Sequence, residues 1–145
     1  MGFILAITGK DTTIDLGVDI IRLVNVQHST PNDSRAKSTD VTATMWITGK
    51  LLSTEDGSNN SDTLKLFEWS LVSSQSADAY RSVEVQVISQ SQVFRRISFP
   101  NAFVIDYSER YTDSAGVGEF TLILRQRADK LTDIKAESSQ QIEDL

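Results

Sequence analysis

The sequence predicts a mainly β fold with one helix, and three observations carry that reading. Over residues 80–127, Val83, Val85 and Val87 alternate with Ser82, Glu84 and Gln86, and Phe120, Leu122 and Leu124 alternate with Glu119, Thr121 and Ile123. A period of two sends one set to a buried face and leaves the other for water or a partner. Only one segment, 62–73, carries apolar residues at helical spacing. Between these segments lie runs of Ser, Asn, Asp, Thr and Gly, the residues of turns and loops.

In chain order, residues 3–8 and 13–16 read as short strands around a Gly9-Lys10-Asp11 turn, and 18–26 as a longer apolar strand. Residues 27–40 are polar, with Pro31-Asn32-Asp33 as a turn nucleus. A loop of that length in a compact domain is commonly functional or mobile. Strict alternation resumes over 41–52, where Val41, Ala43, Met45 and Ile47 oppose Thr42, Thr44, Trp46 and Thr48, and 54–62 is a second polar loop.

The helix expected over 62–73 has Asp62 as its N-cap and Leu64, Phe67, Leu71 and Val72 on one face. That face is assigned to the core. Leu66 and Trp69 fall on the opposite face, and are assigned to a contact between subunits. The same residues also alternate like a strand, but only with a phase slip.

Residues 80–127 divide into four strands, 80–89, 92–100, 101–110 and 117–127, with a turn at 89–92, a break at Pro100 and a hairpin tip at 112–118. The expected buried set is Val85, Val87, Phe103, Ile105, Phe120, Leu122 and Leu124. Beyond Arg127 the alternation stops. Residues 129–145 hold two basic and five acidic side chains, and read as an exposed acidic tail after a single domain over 1–128.

Composition narrows the function. A chain of 145 residues forms one domain that buries a core unaided. It has no cysteine, which removes disulfides and thiolate metal sites. Its net charge of −6 argues against nucleic-acid binding, which needs cations to displace counterions from phosphate. The opening MGFILAIT lacks the basic region and cleavage site of a signal peptide and is too short to span a bilayer, so synthesis and assembly in the cytoplasm are expected.

Catalytic readings find little support. His28 is the single histidine, and no GxSxG element supplies a nucleophile for it. A Ser–Lys dyad leaves no local signature to read. Asp106, Glu109 and Asp113 gather near one hairpin, without the spacing of a calcium loop. Gly9-Lys10 and Gly49-Lys50 lack the other residues of a phosphate loop. No enzyme activity, catalytic residue, metal or cofactor is expected.

Four segments carry a resemblance: STDVTATMWITGKL (38–51), DTLKLFEWSLV (62–72), DAYRSVEVQVIS (78–89) and FPNAFVIDYSERYTDSAGVGEFTLILRQR (99–127). They resemble clostridial-type bacterial proteins labelled membrane-associated protease, although the chain shows neither a nucleophile–base pair nor a membrane segment. The order of elements is similar, more distantly, to the tube proteins of contractile tails, the phage tail-tube and Hcp-type proteins. That resemblance implies two packed antiparallel sheets forming a β-barrel or sandwich with one helix. It also implies a chain that partners itself in a ring, hexameric in that family, which stacks into a tube beside sheath and baseplate proteins.

On that reading the polar strand faces meet a wide, wet lumen, to which Glu84, Gln86, Thr121, Arg125 and Arg127 are assigned. The loop at 27–40 becomes a ring-stacking loop carrying Asp33, Arg35, Lys37 and Asp40, its cations facing Glu55 and Asp56 of a neighbour. The alternatives are a monomeric β-barrel that binds a small ligand or peptide, and a hydrolase.

Overall fold

The computed structural model describes residues 1–30, 41–52, 58–113 and 116–138. The strands are β1 (Gly2–Thr8), β2 (Thr13–Leu16), β3 (Ile21–Ser29), β4 (Thr42–Leu51), β5 (Arg81–Ser89), β6 (Gln92–Arg110), β7 (Gly118–Gln126) and β8 (Lys135–Ser138). One α-helix, α1 (Ser58–Ser70), follows β4, and short 3-10 turns precede β5 and follow β7. The mainly β architecture with one helix is therefore as expected.

All pairings are antiparallel, in the order β2-β1-β5-β6-β7-β4-β3, with β8 also on β6. The two packed layers are two halves of this one sheet. Its outer strands are not hydrogen-bonded to each other, but β1 and β3 touch across the interior. The shared core includes Leu5, Ile14, Ile21, Met45, Val83, Phe99, Phe120 and Leu122, drawn from strands of both halves.

Regular strands obey their alternation. On β4, Ala43, Met45 and Ile47 are buried, and on β7 Phe120, Leu122 and Leu124. Between β5 and β6 the chain reverses through Gln90 and Ser91, both at positive φ (54° and 63°). A two-residue hairpin needs that geometry to match strand twist, and tight ladders on either side hold two non-glycine residues in it.

β6 departs from expectation. It runs 19 residues without a break at Pro100, so the predicted four strands are three. Three extra residues are absorbed as bulges, seen where Val87/Ile88 face Arg95/Val93, where Arg81/Val83 face Ala102/Phe99, and where Val104/Asp106 face Leu124/Ile123. Each bulge reverses which residues point inward. Phe99 and Ala102 are buried, and Val104 and Tyr107 pack on the core. Phe103 is displaced to the other face, Ile105 is 40% exposed, and Val87 is half-buried. The bulge near Pro100 also accommodates a residue without an N–H inside a long strand.

The helix is inserted with the opposite face inward. Leu66 (0% exposed) and Trp69 (2%) belong to the chain's own core, which removes them from any contact between subunits. Leu64 (56%), Phe67 (42%) and Leu71 (72%) are exposed. The tryptophan decides the orientation. Buried, its Nε1–H needs an acceptor and finds the Ala79 carbonyl at 3.1 Å, while the Arg81 guanidinium lies 5.2 Å from its ring. The helix begins at Ser58, so Asp62 lies inside it and is not the N-cap expected; there the Asp15 amide donates to Asp62 at 3.3 Å and Lys65 donates to the Thr13 carbonyl at 3.2 Å, which fastens α1 to β2.

The stretch after β7 also differs from the exposed tail expected there. Leu131 and Ile134 pack against the core, and β8 pairs Lys135–Ser138 with Ser98–Arg95 of β6. Residues 139–145 lie outside the described residues.

Candidate assembly surfaces

The sheet has a core face and an outer face, and its registers place the predicted lumen residues. Glu84 and Gln86 stand opposite Ser98 and Arg96 on β6, and opposite Ala6 and Ile4 on β1. Thr121 stands between Thr48 and Ser108, and Arg125 between Thr44 and Phe103. All four side chains alternate with buried neighbours, so they share the outer face. Arg127 lies just past β7, with its guanidinium 5.2 Å from the Tyr80 ring and its Nε 2.8 Å from Asp129. The Nε of Arg125 is buried and has no hydrogen-bond acceptor among the described residues.

Two charged groupings escaped the sequence reading. Arg96 bridges strands on both sides of β6, with Glu84 at 2.7 Å and Glu137 of β8 at 3.6 Å. The second is a row across four strands at one end of the sheet. Lys50 of β4 stands opposite Glu119 of β7, which stands opposite Arg110 of β6. Arg22 of β3 completes the row, its guanidinium 2.5 Å from Glu119. Alternation gives no hint of either, because their members are scattered along the chain and meet only through register.

Beside that row lies a groove of about 510 Å³ between α1 and the β6–β7 hairpin, lined by Leu52, Leu64, Phe67, Tyr111 and Val117. The Glu109 carboxylate at its rim accepts hydrogen bonds from the hydroxyls of Tyr107, at 2.7 Å, and Tyr111. Burial, then the bond to Glu109, pushes the Tyr107 phenol well above its ordinary range, and the Glu109 bond also raises Tyr111.

The catalytic candidates are dispersed. His28 is an exposed β3 residue opposite Ala43, and it borders a recess with Val41, Leu131 and Ile134. Glu109 is engaged by two tyrosines on the core side, whereas Asp106 faces outward opposite Ile123. Among the described residues no three His, Cys, Asp or Glu side chains form a metal-binding group. No described helix is long and apolar enough to cross a membrane. Asp33, Arg35, Lys37, Asp40, Glu55 and Asp56 lie outside the described residues.

Solved structures share the curled antiparallel sheet with the helix α1 inserted in it. A mutant of Hcp1 from the E. coli EAEC 042 pathovar aligns with a TM-score of 0.58 at 10% identity, over 95% of this chain and 99% of that one. A chain of the extended-state sheath/tube terminator of the extracellular contractile injection system PVC aligns at 0.53 and 13% identity, over 94% of both chains. A chain of the six-fold-symmetrised baseplate of the anti-feeding prophage aligns at 0.52 and 11% identity, over 96% and 94%. No protein-family model and no curated protein matches the sequence. The likeness found is thus to tube proteins, and the resemblance to proteins labelled membrane-associated protease is not among the findings.

Proposed function

We propose that this chain is a structural subunit that assembles into rings, and that the rings stack into the tube of a contractile, phage-tail-like particle. The observation that carries the reading is the tube-protein fold over nearly the whole chain, with a sheet that keeps one apolar face for its own core and one polar face for a wet interior. Among the described residues the β3 edge of the sheet has no strand partner, and an open edge is a liability in isolation. Edge-to-edge closure of several copies into one large barrel removes it. Glu84, Gln86, Thr121, Arg125 and Arg127 then line the lumen. The likeness to a chain of a six-fold-symmetrised baseplate supports six subunits per ring as part of this reading, with sheath and baseplate proteins as further partners. The loop carrying Asp33, Arg35, Lys37 and Asp40 is assigned to contacts between rings.

The test is negative-stain microscopy with analytical ultracentrifugation of the purified protein across a range of concentrations. Rings or tubes support the reading. A 16.1 kDa monomer at every concentration counts against it.

A further inference from the structure

The geometry points to β8 as a releasable cap: in the free subunit it covers the edge of β6 at Arg95–Ser98, and that edge is the pairing site for the open β3 strand of a second copy. The inference rests on the tube reading and adds a step that controls when subunits join.

Position is the first argument. β5 pairs one side of β6 from Gln92 to Ala102, and β7 pairs the other side from Ala102 to Arg110. Before Ala102, the β7 side of β6 is covered among the described residues by β8 alone, from Ser98 to Arg95. With β8 away, β6 would present unpaired N–H and C=O groups there, a template for another strand. β3 is a matching open edge: among the described residues its nine residues pair with β4 on one side only. A nine-residue strand laid along residues 92–99 forms a longer ladder than the four-residue β8, so exchange favours the neighbour's strand.

Anchoring is the second argument. β8 has the sequence KAES, and Lys135, Ala136 and Ser138 are exposed, so no apolar side chain ties it to the core. The ion pair that holds it, Glu137 with Arg96, spans 3.6 Å, whereas Arg96 holds Glu84 at 2.7 Å. The Oε2 of Glu137 and the Nε of Arg96 are buried without a hydrogen-bond partner among the described residues. Opening β8 leaves Arg96 its closer carboxylate and returns Glu137 to water, which limits the cost. The segment before β8 is held firmly. Buried Gln126 accepts a hydrogen bond from the Asn101 amide at 3.0 Å and donates to the Lys130 carbonyl at 2.8 Å. The Arg127 amide donates to the Asn101 carbonyl at 2.9 Å, and Leu131 and Ile134 pack on the core. The hinge therefore lies between Ile134 and Lys135.

Arg95→Cys with Ser138→Cys tests the cap, because the two positions are opposed in register and the chain has no other cysteine. Oxidised, this variant is expected to melt no lower than when reduced, yet to assemble at least about tenfold more slowly by light scattering. Reductant is expected to restore the rate. Glu137→Pro, which breaks the short ladder, is expected to speed assembly about tenfold. Assembly of the oxidised protein at the reduced rate would overturn the proposal, as would a Glu137→Pro variant no faster than the parent. A benzophenone side chain in place of Gln92 identifies the occupant. Cross-links to residues 21–29 of another copy support β3, and cross-links to other strands alone overturn that choice. If the parent never assembles, the tube reading fails separately. Hydrogen exchange of the parent then decides the cap: amides of 95–98 and 135–138 are expected to exchange at least about tenfold faster than those of 104–108, and equal protection overturns it.

Discussion

Phe120 and Gly49 face each other across β4 and β7, and the phenylalanine ring occupies the place of a glycine side chain: a Cβ on Gly49 would lie 2.5 Å from two ring carbons. The Ile20 carbonyl closes the same space from the other side, 2.9 Å from that point. The Gly-Lys pair at this position is a packing device, and its lysine belongs to the cationic row.

Gly49→Ala is therefore expected to destabilise the fold by about 1–3 kcal/mol, the usual cost of overpacking a filled core. Denaturant unfolding of the purified variant measures it. A loss under roughly 0.5 kcal/mol would mean that the Phe120 ring moves aside freely.

The bulges of β6 give a paired prediction. Leu122→Ala on the regular strand is expected to cost about 2–5 kcal/mol, as truncation of a buried leucine does. Ile105→Ala, on the outer face after a phase reversal, is expected to stay within about 0.5 kcal/mol in the monomer. Equal losses would argue against the bulge between Val104 and Asp106.

Trp69→Ala is expected to lower monomer stability by about 3–5 kcal/mol, because it removes a buried ring and leaves the Ala79 carbonyl without its donor. Substituting Phe67 and Leu71 by Ser is expected to leave unfolding nearly unchanged. Chemical denaturation of each variant checks both, and a stable Trp69→Ala monomer would contradict the observed helix orientation.

Alkaline pH provides an independent check on the tyrosine pair. The Tyr107 phenol holds its proton more tightly folded than unfolded. Above the ordinary tyrosine value of about 10 the unfolded chain binds fewer protons, so stability present below that pH is lost as pH rises. Tyr107→Phe is expected to flatten the fall in melting temperature above pH ~10, and an unchanged alkaline slope would count against a titrating Tyr107.

The legible parts of this molecule are those where one rule holds along a whole element. β4 and β7 keep one phase, so Met45, Ile47, Phe120, Leu122 and Leu124 are readable as core from alternation alone. β6 hides its core residues because three insertions each move the phase by one. Apolar spacing supports both faces of α1, and the hydrogen-bonding need of one indole decides between them. β8 has the sequence KAES, without any apolar pattern; backbone pairing and the Arg96–Glu137 ion pair hold it. The outer-face positions of Glu84, Gln86, Thr121 and Arg125 follow from period two. The row of Arg22, Lys50, Glu119 and Arg110 follows only from register, which is a property of the assembled sheet.

The continuity of β6 also sets an order of events in folding. Its ladders with β5 and β7 join neighbours in the chain, whereas Gly2 must find Ile88 and Thr44 must find Arg125 across most of the sequence. Closing short loops costs less entropy, so the three-strand meander is expected to form first and to template the other strands. Kinetically, Val85→Ala and Phe99→Leu should slow refolding, while Leu5→Ala and Met45→Ala should chiefly speed unfolding. The distant strands would then be the last secured and the first released, which leaves the edges that subunits share open until the centre of each subunit is complete.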